Sequence, residues 1–335
     1  MSNSVKSEKA WVSVIRRFNK PDSWKSAWQI ANSLGPYVIL WILMYYSLGI
    51  SFWITLGLAP LAAGFLIRIF IIFHDCGHGS FFRSAKANRI VGTILGSLVF
   101  TPHDRWHKDH AIHHSTVGNL DKRGVGDVWT LTVAEYKALS GWNKFVYRLY
   151  RHPLFLFVLA PVLLFVVWFR FPKKGLTTKE KWNLQLSNLI ILVLSGVAIF
   201  FMGWKAFLMI QIPVIVIATS VGTWLFYVQH QFEEVIWSRQ GEWSYEEMAL
   251  KGSSFLHFPK VLQWFSGNIG FHHIHHLSPR IPNYNLETCH KSDSMFGEVK
   301  PVTFRDGLVS MKYRLWDELN GQLISFRQFR RSYAG

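Results

Sequence analysis

The apolar residues of this chain fall in long blocks, not in alternating stripes. From Pro36 to Phe73 nearly every position is apolar. As helix, that stretch would be about 57 Å long, close to two bilayer cores. It predicts two antiparallel membrane helices with a tight turn near Gly49 to Trp53. Arg68 falls in the second, close enough to its end to snorkel. Ile90 to Phe100 is apolar but too short to span, which predicts an interfacial or re-entrant helix. Leu154 to Phe171 is apolar around a central Pro161. Asn188 to Met202 and Phe207 to Val228 are two further runs, separated by Gly203, Trp204 and Lys205. Beyond Ser278 the chain is polar and basic.

Charge decides which runs cross. Arg148 and Arg151 precede the run with Pro161, and Arg170, Lys173, Lys174, Lys179 and Lys181 follow it. Lys and Arg collect on cytoplasmic loops, so both ends of that run prefer the cytoplasm. Four spans remain, with both termini cytoplasmic. The predicted fold is an all-α integral membrane protein of about four transmembrane helices under a cytoplasmic helical cap. Its divisions are a cytoplasmic N-terminal segment 1–35, a membrane domain 36–286 and a cytoplasmic tail 287–335.

Composition narrows the functions. The net charge is +16 over 335 residues, half of them hydrophobic. Topology accounts for most of that charge, and attraction to anionic lipid or an acidic partner also fits. No nucleic-acid motif is present, so a nucleic-acid partner is not expected. Cys76 and Cys289 are the only cysteines, which excludes a four-cysteine iron–sulfur cluster. The polar, basic start of the chain does not read as a cleavable signal peptide.

Fifteen histidines are present, and most are clustered. Phe73 to Ser80 reads F-H-D-C-G-H-G-S, with His74 and His78 at i and i+4. His110, His113 and His114 lie in H-A-I-H-H, and His272, His275 and His276 in H-H-I-H-H. On helices these spacings put each group on one face. Each group stands at the end of an apolar run or on a loop. Eight imidazoles packed together without a metal would leave many polar nitrogens seeking partners. Eight is also too many for one tetrahedral zinc. Two ions with four or five histidines each would use the supply, and imidazole suits iron; the spacing itself leaves zinc and manganese open. A histidine-rich metal transporter would instead place ligands within its spans.

These motifs, H-D-C-G-H, H-A-I-H-H and H-H-I-H-H, resemble the three histidine boxes of the membrane fatty acid desaturase family. Gly118 to Thr132 and Leu277 to Leu286 are similar to bacterial acyl-lipid desaturases of the delta-12 and omega-3 group. The resemblance covers about Ser23 to Leu286. It implies a di-iron oxidase that inserts a cis double bond into a fatty acyl chain, using O2. It implies two iron ions held by His74, His78, His110, His113, His114, His272, His275 and His276. His230, in Q-H-Q-F-E, matches the family's lone ligand histidine after its last span. Related acyl-CoA desaturases have an Asn one turn earlier that holds a metal-bound water; here that position is Phe226. His103 and His107 are expected behind the ligands or at the surface, and His152, His257, His273 and His290 outside the ligand set. Asp75, Asp109 and Asp127 are candidates to orient ligand rings. No strand–G-x-G-x-x-G–helix unit or fused haem motif is present, so electrons must come from a separate ferredoxin or cytochrome b5 type protein. The runner-up is a carotenoid or lipid hydroxylase or ketolase on the same scaffold.

Overall fold

The computed structural model describes residues 11–333. The described chain is mostly helical. Its main helices are α1 (Ser23–Leu48), α2 (Phe52–Gly77), α3 (Ala85–Leu98), α4 (His103–Thr116), α5 (Gly141–Tyr150), α6 (Thr178–Met202), α7 (Trp204–His230) and α8 (His272–Leu277). Four of them, α1, α2, α6 and α7, are long and apolar enough to cross a membrane. At 25–27 residues each is about 39 Å long, a turn or more beyond a hydrocarbon core of about 30 Å.

The first apolar run begins at Pro36, yet α1 starts thirteen residues earlier, where Asp22 accepts from the amides of Trp24 and Lys25. Its polar first turns are held by partners from elsewhere. Ser26 donates to the Phe81 carbonyl (2.6 Å) and the Gln29 amide to Asn283 Oδ1 (2.8 Å). The α1–α2 turn falls at Gly49–Ser51, as the sequence predicts, and Ser47 and Thr55 hydroxyls clasp it at 2.7 Å. Between α6 and α7 a single residue, Gly203, reverses the chain at φ +79°, a backbone state that favours glycine.

Arg68 does not snorkel. It is buried, with Nε donating to Ser33 Oγ at 3.1 Å, a guanidinium nitrogen to the Trp264 carbonyl, and the Trp264 ring 3.9 Å away. Contacts within the protein replace the water that snorkelling would have reached.

The run around Pro161 is not a straight span. Segment Phe155–Arg170 bends by 58° from α5 and contains two wide π turns flanking Pro161. Both its ends lie at the level of the histidines. Before it, Arg151 donates to Gln231, the residue after His230 (2.7 Å); after it, Lys173 pairs with Asp109, the residue before His110. Both ends of the segment are thus held beside residues that neighbour the histidines.

Short strands tie the cap together. β1 (Leu131–Thr132) pairs in parallel with β2 (Leu315–Asp317), which pairs antiparallel with β3 (Gln322–Ile324). Helix Phe304–Ser310 lies against α7, with the Gly307 carbonyl accepting from the Trp224 indole at 3.3 Å. Arg151 is the hub. It is fully buried and donates to the Trp129 and Tyr313 carbonyls, Thr130 Oγ1, Tyr227 OH and Gln231 Oε1 at 2.7–3.2 Å.

Replacing Arg151 with methionine strands these acceptors in a buried space. Each unsatisfied group costs about 1–3 kcal/mol, so the variant should lose about 3 kcal/mol or more of stability. Thermal unfolding in detergent will register that loss. Lys179→Met, at an exposed position, should stay within about 0.5 kcal/mol.

Candidate metal centre

Each histidine reaches the centre by a local route. His74 lies on the last turn of α2, and His78 caps that helix. His110, His113 and His114 lie on the second half of α4, and His230 is the last residue of α7. His272, His275 and His276 lie on the six-residue α8. Thus two membrane-length helices deliver histidines at their C-terminal ends, and two cap helices close over them.

All nine come together, in two sets. Ligand atoms of His74, His78, His110, His114 and His275 lie within 4.8 Å of one another, and so do those of His113, His230, His272 and His276. The boxes are divided between the sets in a regular way. Every i, i+4 pair (74 and 78, 110 and 114, 272 and 276) stays in one set. The third histidine of each longer box, His113 or His275, goes to the other. The sets are adjacent: the rings of His114 and His276 stack with centroids 4.1 Å apart.

Hydrogen bonding cannot hold these rings together. His110 Nε2 lies 3.1 Å from His74 Nε2 and 3.0 Å from His114 Nε2. His114 Nε2 is in turn 3.1 Å from His275 Nε2. In the second set His230 Nε2 is 3.1 Å from His113 Nε2 and 3.0 Å from His272 Nε2. A ring nitrogen carries either one proton or one lone pair in its plane, never both. The middle nitrogens therefore cannot bond both neighbours. A cation can take all the lone pairs at once, and the residues fit one. Two nitrogens about 2.1 Å from one ion are about 3.0 Å apart at a right angle and about 3.4 Å apart at the tetrahedral angle. The observed spacing matches the right angle. His78 Nε2 and His276 Nε2 are buried without a protein partner, and the same ions would engage them.

The protonation states agree. Burial, reinforced by neighbouring imidazoles, pushes His78, His110, His114, His272, His275 and His276 well below the usual imidazole range. Neutral imidazole is the ligating form.

Two of the three candidate carboxylates orient ligand rings. His74 Nδ1 donates to Asp75 Oδ1 at 3.1 Å and His113 Nδ1 to Asp127 Oδ1 at 2.7 Å. A proton on Nδ1 leaves the Nε2 lone pair for an ion. Asp109 instead pairs with Lys173. Asn283, which the sequence reading did not single out, steadies Asp75 through its backbone amide (2.6 Å) and side-chain amide (2.8 Å). Its one signal was its place in the P-N-Y-N stretch shortly after the third box.

The remaining histidines stay outside both sets. His103 is buried, bonded to Asp104 at 2.9 Å, and His107 stands behind His78. His273 is fully buried against His290, with Nε2 to Nδ1 at 3.1 Å, and burial pushes it down to about 3. His152 and His257 are exposed. Phe226 packs on the second set, its ring centroid 5.4 Å from His230 and 5.3 Å from His113.

A cavity of about 570 Å³ opens beside the centre and reaches His74, His110 and His272. Below them its walls are apolar: Leu66, Ile67, Phe70 and Ile71 from α2, Leu164 and Phe165 from the segment Phe155–Arg170, and Ile215 and Ala218 from α7. Arg105, Asp109 and Lys173 stand at its polar end.

A family model described as fatty acid desaturase matches residues 51–304. A protein of Bacillus subtilis described as fatty acid desaturase is 48% identical over 313 residues, 93% of this chain and 89% of that protein. An sn-1 oleoyl-lipid 12-desaturase of Synechocystis is 26% identical, covering 86% of this chain and 76% of its own length. A temperature-sensitive chloroplastic sn-2 acyl-lipid omega-3 desaturase (ferredoxin) of Arabidopsis thaliana is 28% identical over 74% of this chain and 55% of its own length.

Three substitutions test the centre. His230 has no histidine one turn away on its own helix to take its place, so His230→Ala should lower bound metal sharply while the protein still inserts. His257→Ala should leave metal content unchanged. Asp127→Asn should weaken metal binding about 10–100-fold by releasing the His113 ring. Metal analysis of purified protein after competition with a chelator reads all three. Full metal retention by His230→Ala would refute its assignment as a ligand.

Proposed function

Because the chain belongs to the fatty acid desaturase family, we propose that it inserts a cis double bond into the acyl chain of a membrane lipid. One observation carries this reading. Two adjacent imidazole sets, whose spacing hydrogen bonds cannot explain, open onto an apolar cavity suited to a hydrocarbon chain. In this reading the sets hold two iron ions, five histidines on one and four on the other. Iron accords with imidazole ligands and with a coordination number above that of structural zinc. When bound, the irons supply with O2 the oxidising power that no protein side chain has against an unactivated methylene.

The chain's own residues would do the rest. Asp75 and Asp127 keep the Nδ1 protons of His74 and His113 in place. The apolar walls hold two adjacent methylenes beside His74, His110 and His272 and keep water away from the chain. A lipid-linked substrate fits relatives whose names specify acyl-lipid substrates. In this reading the four long helices cross the bacterial cytoplasmic membrane, and the histidines face the cytoplasm. A separate donor of ferredoxin or cytochrome b5 type delivers the electrons. The excess of Lys and Arg suits an acidic donor, and the Arabidopsis relative is named with ferredoxin.

Expression in a host whose lipids are saturated tests the reaction. Mass spectrometry of the fatty acids should find chains two hydrogens lighter with a single new double bond, and the purified protein should hold two irons per chain. An oxygen-bearing carbon would favour a hydroxylase instead. An iron-loaded protein that changes no acyl chain would overturn the reading. The apparent affinity for an acidic donor should also fall as ionic strength rises from about 0.01 M to 0.15 M, as exposed charge attraction is screened. A salt-independent affinity would mean that the exposed positive charge serves topology or lipid contact and not donor docking.

A further inference from the structure

One face of α7 forms a wall of the cavity. Going down from the histidines, it presents Gln229, Phe226, Gly222, Thr219, Ala218 and Ile215. Gly222 lies eight residues before His230, about 12 Å lower along the helix, and Ile215 about 22 Å lower. The wall is bulky at Phe226, thin at Gly222 and Ala218, and bulky again at Ile215.

Gly222 is not there for packing. Some helical glycines of the bundle make room for a neighbour, while Gly35, Gly57 and Gly196 face open space and line no part of the cavity. An added Cβ would come within 3.0 Å of Phe265 at Gly64, 2.3 Å of His103 at Gly92 and 2.5 Å of the Thr101 carbonyl at Gly96. At Gly222 a Cβ would meet nothing within 4 Å. A glycine inside a helix destabilises it relative to alanine, and here no packing contact offsets that cost. What its missing side chain leaves open is the cavity.

We propose that Gly222, with Ala218 one turn below it, sets how much acyl chain the cavity accepts beyond the histidines and thereby the enzyme's chain-length preference. This rests on the reading of the cavity as the acyl-chain site. A side chain at Gly222 would occupy the space of the chain's distal methylenes. A chain held with its reacting carbons at His74 and His110 would then have to be shorter. Each excluded methylene changes selectivity about tenfold or more.

The test feeds one culture with myristic, palmitic and stearic acids and measures the ratio of their unsaturated products, together with iron in the purified protein. Gly222→Leu should shift the ratio toward shorter products by about tenfold or more, with iron unchanged. Gly222→Ala should shift it less, in the same direction, and carries the test if leucine blocks turnover outright. Ile215→Ala, which deepens the floor, should shift it toward longer products. Gly196→Leu, an exposed position on α6 with nothing within 4 Å, should leave the ratio unchanged. An active Gly222→Leu with the wild-type ratio would overturn the proposal. So would loss of iron and of all product in both Gly222 variants, which would make the glycine structural. A wild-type protein that desaturates none of the acids would sink the acyl-chain reading itself, and this inference with it.

Discussion

Nine imidazoles share one buried volume, and some of their nitrogens each face two others at 3.0–3.1 Å, more contacts than one proton or one lone pair can satisfy. That constraint organises the rest of the chain. Neutral rings at this spacing repel through their lone pairs unless a cation lies between them. The rings must also be aimed before an ion arrives, because an ion gains little from ligands that must first be ordered. The structure meets this by placing histidines where backbones are stiff. His74 and His230 end long helices, and His110 to His114 lie on a helix packed against α2 and α6.

Burying helix ends beside such a centre creates a second demand, because terminal carbonyls lose water and need donors. Arginines answer it. Arg105 donates to the Trp168 and Phe171 carbonyls where the segment Phe155–Arg170 ends, and Arg170 to the Phe100 carbonyl just beyond α3. Arg151 does the same for Trp129 and Tyr313. The segment Phe155–Arg170 is therefore pinned at both ends beside the histidines while its apolar middle forms a cavity wall. Part of the chain's positive charge is thus structural, buried against carbonyls and unavailable to any partner.

Much of this was legible in the sequence. Long apolar runs mark long helices, and Pro161 marks a run that is not one straight helix. The H-x-x-H-H spacing marks rings on one helical face. Other features were not legible because they depend on which neighbour arrives. A helical face gathers His110, His113 and His114, but it does not say that His113 joins His230 and His272 while its neighbours join His74. That division follows from where α7 and α8 end, which is tertiary information. Asp109 sits beside a box histidine as Asp75 does, yet Lys173, sixty-four residues away, takes it. Hydropathy marks Pro36 as the start of the first run because it weighs only lipid contact. The preceding turns of α1 are polar and helical because Asn283 and the Phe81 carbonyl satisfy them.

Phe226 shows how the centre and the cavity are joined. The resemblance placed a water-holding Asn at this position in acyl-CoA relatives, and a phenyl ring cannot hold water. Here that ring lies against His113 and His230 and also lines the cavity, so the wall between the second set and the cavity is apolar at this point. Two polar neighbours that line the cavity beside it are already engaged: Gln229 donates to the Ile269 carbonyl at 3.2 Å, and Asp127 accepts from His113. An apolar chain entering this cavity would displace water that has few partners to lose, which favours its burial. The polar groups that remain free to meet an ion are then the imidazole nitrogens themselves, and hydrocarbon can lie beside them without stranding a hydrogen bond. Substituting a polar side chain for Phe226 would reverse that arrangement by giving water a foothold between the rings and the chain.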